Sequence, residues 1–185
     1  MLDALESKPS DAISIADLAR GLGVSAGAPY RHFAGRDALL NDVAAIGFDR
    51  LRARMTQDMA AEDQGSIKRI VAGGMGYINF SIENPHLFNL MWSMTRPRTA
   101  TDPAARAGER AYMSFLTNLM QTMEAEGFGD EDPMEFGAPI WTMVHGYASL
   151  LVWQSRMLDD RQSTLRRQLL RTTRAVFAAR SKKRE

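Results

Sequence analysis

Tyr30, Arg31, His32 and Arg36 fall within seven consecutive positions, directly after the small residues Ala26, Gly27 and Ala28. A phenol, an imidazole and two guanidinium groups at that density are a set of hydrogen-bond donors. The ligands that use such donors together are phosphate oxygens and base edges. Bond-breaking chemistry finds no support. The chain has no Gly-x-Ser-x-Gly turn, no Ser/His/Asp set and no paired acids on one helix face, so an enzyme is not expected. Its three histidines, His32, His86 and His145, lack metal-ligand spacing to carboxylates, and there is no cysteine. Neither a metal nor a cofactor is expected.

The elements that must position those donors are helices. Apolar residues recur at spacings of three and four, and alternating β-branched runs are absent, so the chain reads as all-α. Ser14, with Asp17 three residues on, starts a short helix whose face is Ile15, Leu18, Ala19 and Leu22. Gly21 and Gly23 end it, and Ser25 is placed to cap a second short helix over about 26–33. Pro29 lacks the N–H that would bond back to the capping carbonyl. A long helix follows "AGRD", with Leu40, Val43, Ala44, Gly47, Phe48, Leu51 and Met55 on one stripe. After a linker at 60–66, helices are expected over about 66–83, 85–95, 104–126, 134–157 and 161–181, with loops at 96–103 and 127–133. Gly73, Gly74 and Gly76 lack the Lys-Ser/Thr of a phosphate loop and read as close helix contacts.

Two short helices joined by a glycine-containing turn form a helix-turn-helix, and its second helix enters the major groove. Ala26, Gly27 and Ala28 let the backbone approach a duplex. Ser14 and Ser25, at helix starts, and Arg36, at the start of the long helix, are placed for phosphates. The expected division is a DNA-binding domain over 1–59 and a helical ligand-binding and dimerisation domain over 60–185.

The stretch "ISIADLARGLGVSAGAPYRHFAGRDALL" resembles the DNA-binding domain of tetracycline-repressor-type (TetR) regulators over about residues 13–52. It carries in order the Ser-x-x-Asp start, the Gly-Val-Ser turn, the Tyr-x-His-Phe pair and the Arg-Asp-Ala-Leu-Leu continuation. The form "APYRHF", with "IWTMVHGYASLLVW" later, further resembles a subgroup with a Trp-His-Gly signature, here Trp141, His145 and Gly146. The resemblance implies that Ser14, Ser25, Tyr30, His32 and Arg36 position phosphates while Ala26, Gly27, Ala28 and Arg31 face the groove. It implies a homodimer on double-stranded operator DNA, released by a small, largely apolar effector. One departure is the short "MLDALESKPSDA" where family members carry a full first helix.

Methionine and aromatic residues suit pockets for varied ligands. Phe80, Phe88, Met91, Trp92, Tyr112, Phe115, Trp141 and His145 are the candidates to surround an effector. Ile140, Met143, Tyr147, Leu150, Leu165, Leu169, Val176 and Phe177, on the last two helices, are the candidates for the dimer interface. A ligand-independent regulator or activator, or a helical-bundle enzyme or carrier, would share much of this pattern.

At 185 residues, 45% hydrophobic and 24% charged, the chain can bury one core or two small ones. Its formal net charge is +1, so any basic surface comes from local arrangement. Residues 161–185 hold nine bases against one acid, and residues 121–137 hold six acids and no base. No secretory signal is expected from "MLDALESKPSD", and no segment approaches eighteen uninterrupted apolar residues, so a cytoplasmic protein away from membranes is expected.

Overall fold

Proline and short polar side chains set most of the helix starts. The computed structural model describes residues 1–94, 101–153 and 162–181, and every regular element among them is helical. In chain order these are α1 (Leu2–Leu5), a 3-10 turn (Ser10–Ala12), α2 (Ile15–Gly21), a second 3-10 turn (Ala28–Arg31) and α3 (Arg36–Met59). Then come α4 (Ile67–Glu83), α5 (Pro85–Met94), α6 (Pro103–Ala125), α7 (Pro133–Trp153) and α8 (Gln162–Ser181). Three of these begin on proline, whose missing N–H costs nothing in the first turn. Ser14 Oγ accepts from Asp17 N at 3.2 Å to cap α2, and Asp132 Oδ1 accepts from Met134 N at 2.9 Å to cap α7. At the other end of α3, the Arg69 guanidinium donates to the carbonyls of Met59 at 2.7 Å and Glu62 at 2.9 Å. The expected loop over 96–103 falls mostly outside the described residues, as do the ends expected at 157 and 161 and the basic run at 182–184.

The chain packs as two compact units. The first joins Met1–Arg50 to Asn84–Ala111; the second joins Leu51–Glu83 to the residues from Tyr112 onward.

In the first unit, Leu40, Val43, Ala44 and Phe48 of α3 are buried. Trp92 meets Phe48 edge-on at 5.5 Å between centroids and Phe88 at 6.3 Å. Met91 is fully buried, lying so close to Gly47 that a Cβ there would sit 2.7 Å from its sulfur. Asn41, buried on α3, accepts a hydrogen bond from Ala104 N at 2.9 Å and so caps the first turn of α6. Phe88, Met91 and Trp92 therefore serve as core of this unit. They were expected around an effector; here α5 packs them beside α1 and α3.

In the second unit α4 is the central helix, buried without interruption from Ile70 to Ile78 and packed on both α7 and α8. Its glycines explain how helices come so near. A Cβ on Gly74 would sit 3.0 Å from Val144, and one on Gly76 would sit 3.2 Å from the Met55 Cα of α3. Phe128, Phe136 and Phe177 close the far end of α7 and α8, with ring centroids 4.7–5.8 Å apart.

Candidate functional site

The donor-rich segment follows α2 through a turn that needs glycine. Gly23 has φ +73°, and beside it Val24 N donates to Ala19 O at 3.0 Å, which ends the helix in the left-handed manner. The helix expected over 26–33 is instead the four-residue 3-10 turn. Proline explains this. Pro29 cannot donate to Ser25 O, so Ala28 N takes that carbonyl at 2.9 Å, and Tyr30 N follows the same three-residue pattern to Gly27 O. The cap is Gly27, and Ser25 contributes its carbonyl where its hydroxyl was expected.

This turn presents its polar groups to solvent. Tyr30 is 52% exposed, and Ser14, Ser25, Ala26, Gly27, Arg31 and His32 are exposed around it, with Ala28 half-buried. Tyr30 thus points outward, and Phe33 is the half-buried partner in the pair. Leu22, expected on the inner face of α2, is 80% exposed.

Arg36 departs from expectation. Its guanidinium donates to Ile13 O at 2.9 Å and to Ser10 O, tying the start of α3 to the segment before α2. A part-buried cation bound to two carbonyls is a strap between these two segments.

The second unit holds a small apolar cavity of about 20 Å³, room for about one water. Its walls are Met55, Met59, Ile70, Gly73, Gly74, Tyr77, Phe115, Asn118, Ile140, Trp141 and Val144. Phe115 and Trp141 were expected there, and Tyr112 leans edge-on against Trp141 at 4.9 Å. Phe80 is buried on α4 but is not part of the wall. The sequence reading missed the methionines and the Gly73–Gly74 doublet, where Met59 Sδ would stand 3.1 Å from a Cβ on Gly73. The wall's polar groups are already bonded. Asn118 accepts from Arg69 Nε at 2.9 Å and donates to Ser114 O at 2.8 Å; the Tyr77 hydroxyl meets His145 Nδ1 at 2.8 Å.

Burial pushes the His145 imidazole below its ordinary value of 6.5. The folded chain therefore holds it neutral where the unfolded chain would take up a proton. Stability should be complete above pH 6.5 and decline as the pH falls below it. Thermal denaturation across that range should show the decline, and His145→Gln should flatten it; equal slopes in both proteins would contradict this account.

Ile140, Leu165, Leu169 and Phe177, expected at the dimer interface, are buried inside the second unit, Ile140 to 1% exposure. They lie on the inner faces of α7 and α8, where an apolar stripe serves the subunit's own core. Leu150 is 61% exposed, and Met143, Tyr147 and Val176 are half-buried, with Tyr147 donating to Gln168 Oε1 at 2.9 Å. On that outer side a Cβ at Gly146 would meet nothing within 4 Å.

Residues 70–173 match the family model described as "Tetracyclin repressor-like, C-terminal domain", and residues 3–43 match that of "Bacterial regulatory proteins, tetR family". No curated protein matches the chain. Among solved structures it is similar to a protein with unknown function from Rhodococcus sp. RHA1, 25% identical, with TM-score 0.78 over 96% of this chain and 89% of that one. It is also similar in fold to the TetR family transcriptional regulator PfmR from Thermus thermophilus, 18% identical, with TM-score 0.62 over 92% and 94%.

Proposed function

Because the chain belongs to the tetR family of bacterial regulatory proteins, whose fold is that of a DNA-binding regulator, we propose that it is a homodimeric repressor released from operator DNA by a small, largely apolar effector. The observation that carries this reading is the exposed set Tyr30, Arg31 and His32 on a turn held by the Arg36 strap. Residues 1–59 bind DNA and residues 60–185 bind effector and partner. Tyr30, His32, Ser14 and Ser25 contact phosphates; Arg31, with Ala26, Gly27 and Ala28, meets base edges. Two copies read two half-sites, since one such unit offers too little surface for high specificity.

The Trp-His-Gly signature divides its labour. Trp141 lines the cavity, His145 holds the Tyr77 hydroxyl, and Gly146 opens the outer face of α7; assignment to that subgroup rests on the resemblance of these residues to its signature. With the wall's polar groups internally bonded, the fitting effector is neutral and aromatic or aliphatic. It acts by displacing the flexible Met55 and Met59 side chains, which belong to the same helix that begins at Arg36. Among the described residues no helix is long and apolar enough to cross a membrane. A ligand-independent regulator is the second reading, favoured by the small room now present in the cavity.

Gel shifts on the protein's own upstream DNA, with and without a panel of neutral aromatic compounds, test both readings. Binding should fall steeply with salt, as phosphate contacts require. Tyr30→Ala and His32→Ala should weaken all sequences alike by about tenfold, and Arg31→Ala should change base preference. An unchanged preference in Arg31→Ala would refute the assigned orientation. Release by no compound in the panel would favour the second reading.

A further inference from the structure

Asn118 stands in the wall of the small cavity with a cation bound to its amide. Arg69 Nε donates to Asn118 Oδ1 at 2.9 Å, and Nη1 of the same guanidinium donates to Met59 O at 2.7 Å and Glu62 O at 2.9 Å. A guanidinium can only donate, so Asn118 must turn its oxygen to Arg69, which leaves Nδ2 for Ser114 O at 2.8 Å. One part-buried side chain of α4 thus gathers α6, through Asn118, and the last turn of α3 with the residues after it, through the two carbonyls. Met59 belongs to both sides, its side chain in the wall and its carbonyl on Arg69. All of these residues lie in the second unit. The segment after α3 has a longer tie to α6, from Thr122 Oγ1 to Ser66 O at 3.5 Å, by a hydroxyl that also donates to Asn118 O at 3.0 Å.

The guanidinium is flat and rigid, so its donors turn together. Its stem leaves α4 directly before the buried run from Ile70 to Ile78, which lets the plate pivot but not travel. A shift of Asn118 therefore costs Arg69 its alignment on the Met59 and Glu62 carbonyls, and the end of α3 loses the donors that satisfy it. We propose that Arg69 is the positioning residue that makes the last turn of α3 answer to the cavity wall, so that a guest which moves Asn118 loosens the backbone at Met59 and Glu62. The proposal rests on the effector reading above and deepens it by naming the contact through which the cavity regulates. Displaced methionine side chains alone would leave the backbone where it is, whereas the Arg69 bonds act on the backbone itself. Since α3 is one helix from Arg36 to Met59, a change at its last turn is a change in the element that also carries the Arg36 strap.

A double-mutant cycle in the full chain tests it: Asn118→Leu, Arg69→Met and the two together, read by amide hydrogen exchange and by gel shift on the protein's own upstream DNA. The reporters of the helix end are the Ala60 and Glu62 amides, which donate to Thr56 O and Met59 O at 3.1 Å each. The buried Leu169 and Thr173 of α8 report that the rest of the unit stays folded. Asn118→Leu should speed exchange at Ala60 and Glu62 at least about fivefold and raise the operator Kd by about as much. Adding it to Arg69→Met should change neither quantity by more than about twofold, because the connection is already cut. Asn118→Asp, which offers Arg69 a charged acceptor, should slow the same exchange below the wild-type rate, an effect that lost packing cannot produce. Should Arg69→Met not fold, Arg69→Lys carries the cycle, since it keeps the charge and loses the flat fork. Exchange at Ala60 and Glu62 unmoved by Asn118→Leu, or effects that multiply in the double variant, overturn the coupling and leave Arg69 a simple cap. Coupled exchange with an unmoved operator Kd overturns the regulatory role. A wild type that binds no operator DNA removes the repressor reading, while the exchange rates still decide the coupling.

Discussion

Gly146→Arg should yield a folded monomer that no longer binds operator DNA. The position is open, and arginine is a better helix former than glycine, so the subunit itself should gain a little stability. The outer face of α7 around it, Pro139, Thr142 and Leu150, carries no charge. A guanidinium there would be trapped in the proposed dimer contact without a counter-ion, and symmetry would trap it twice. Dimerisation should weaken roughly a thousandfold or more, about 4 kcal/mol. Sedimentation and gel shift together check this, with Gly146→Ala as the gentle control. Should Gly146→Arg remain a dimer with normal DNA binding, the contact lies on another surface.

Gly76→Leu should cost about 3 kcal/mol of stability, or prevent folding outright. A Cβ at this position would stand 2.9 Å from Asp58 Oδ2, 3.2 Å from Met55 Cα and 3.3 Å from Arg54 O. The carboxylate end could swing aside, but the two backbone atoms cannot. Arg54 fixes the same crossing of α3 and α4, donating to Asp58 at 3.3 Å and through both Nη atoms to Glu83 at 2.6 and 3.2 Å. Gly73→Ala is the instructive contrast. Its close neighbours are Met59 Sδ and Cγ at 3.1 and 3.2 Å, the flexible end of a side chain, so the loss should stay under about 1 kcal/mol. Urea denaturation of both variants measures the difference; equal losses would mean that the α3 backbone is not the obstacle.

These two glycines also show what could be read from sequence and what could not. The helices, the Ser14 cap and the glycine contacts were legible because they depend on spacing and on neighbours within a few residues. Pro29 was recognised as a lost bond, but its effect was larger: it converted the expected helix to a 3-10 turn and handed the cap to Gly27. The carbonyl contacts of Arg36 were not legible because its partners, Ile13 and Ser10, lie more than twenty residues away, and a guanidinium suits a carbonyl as well as a phosphate. Phe88, Met91 and Trp92 have the right chemistry for a pocket, yet they fill a core around Phe48. Ile140, Leu165, Leu169 and Phe177 failed for a related reason. Hydrophobicity marks burial without saying whether the subunit or a second copy supplies the cover.

The cavity beneath Trp141 has a kinetic corollary. With space for little more than one solvent molecule, an inducer of the proposed kind would have to await a rarer, wider conformer. If one molecule in about a hundred is open, every inducer looks about a hundredfold weaker than its intrinsic fit. At high inducer levels the speed of response should plateau at the rate of widening, and compounds of equal bulk but unrelated shape should share that plateau.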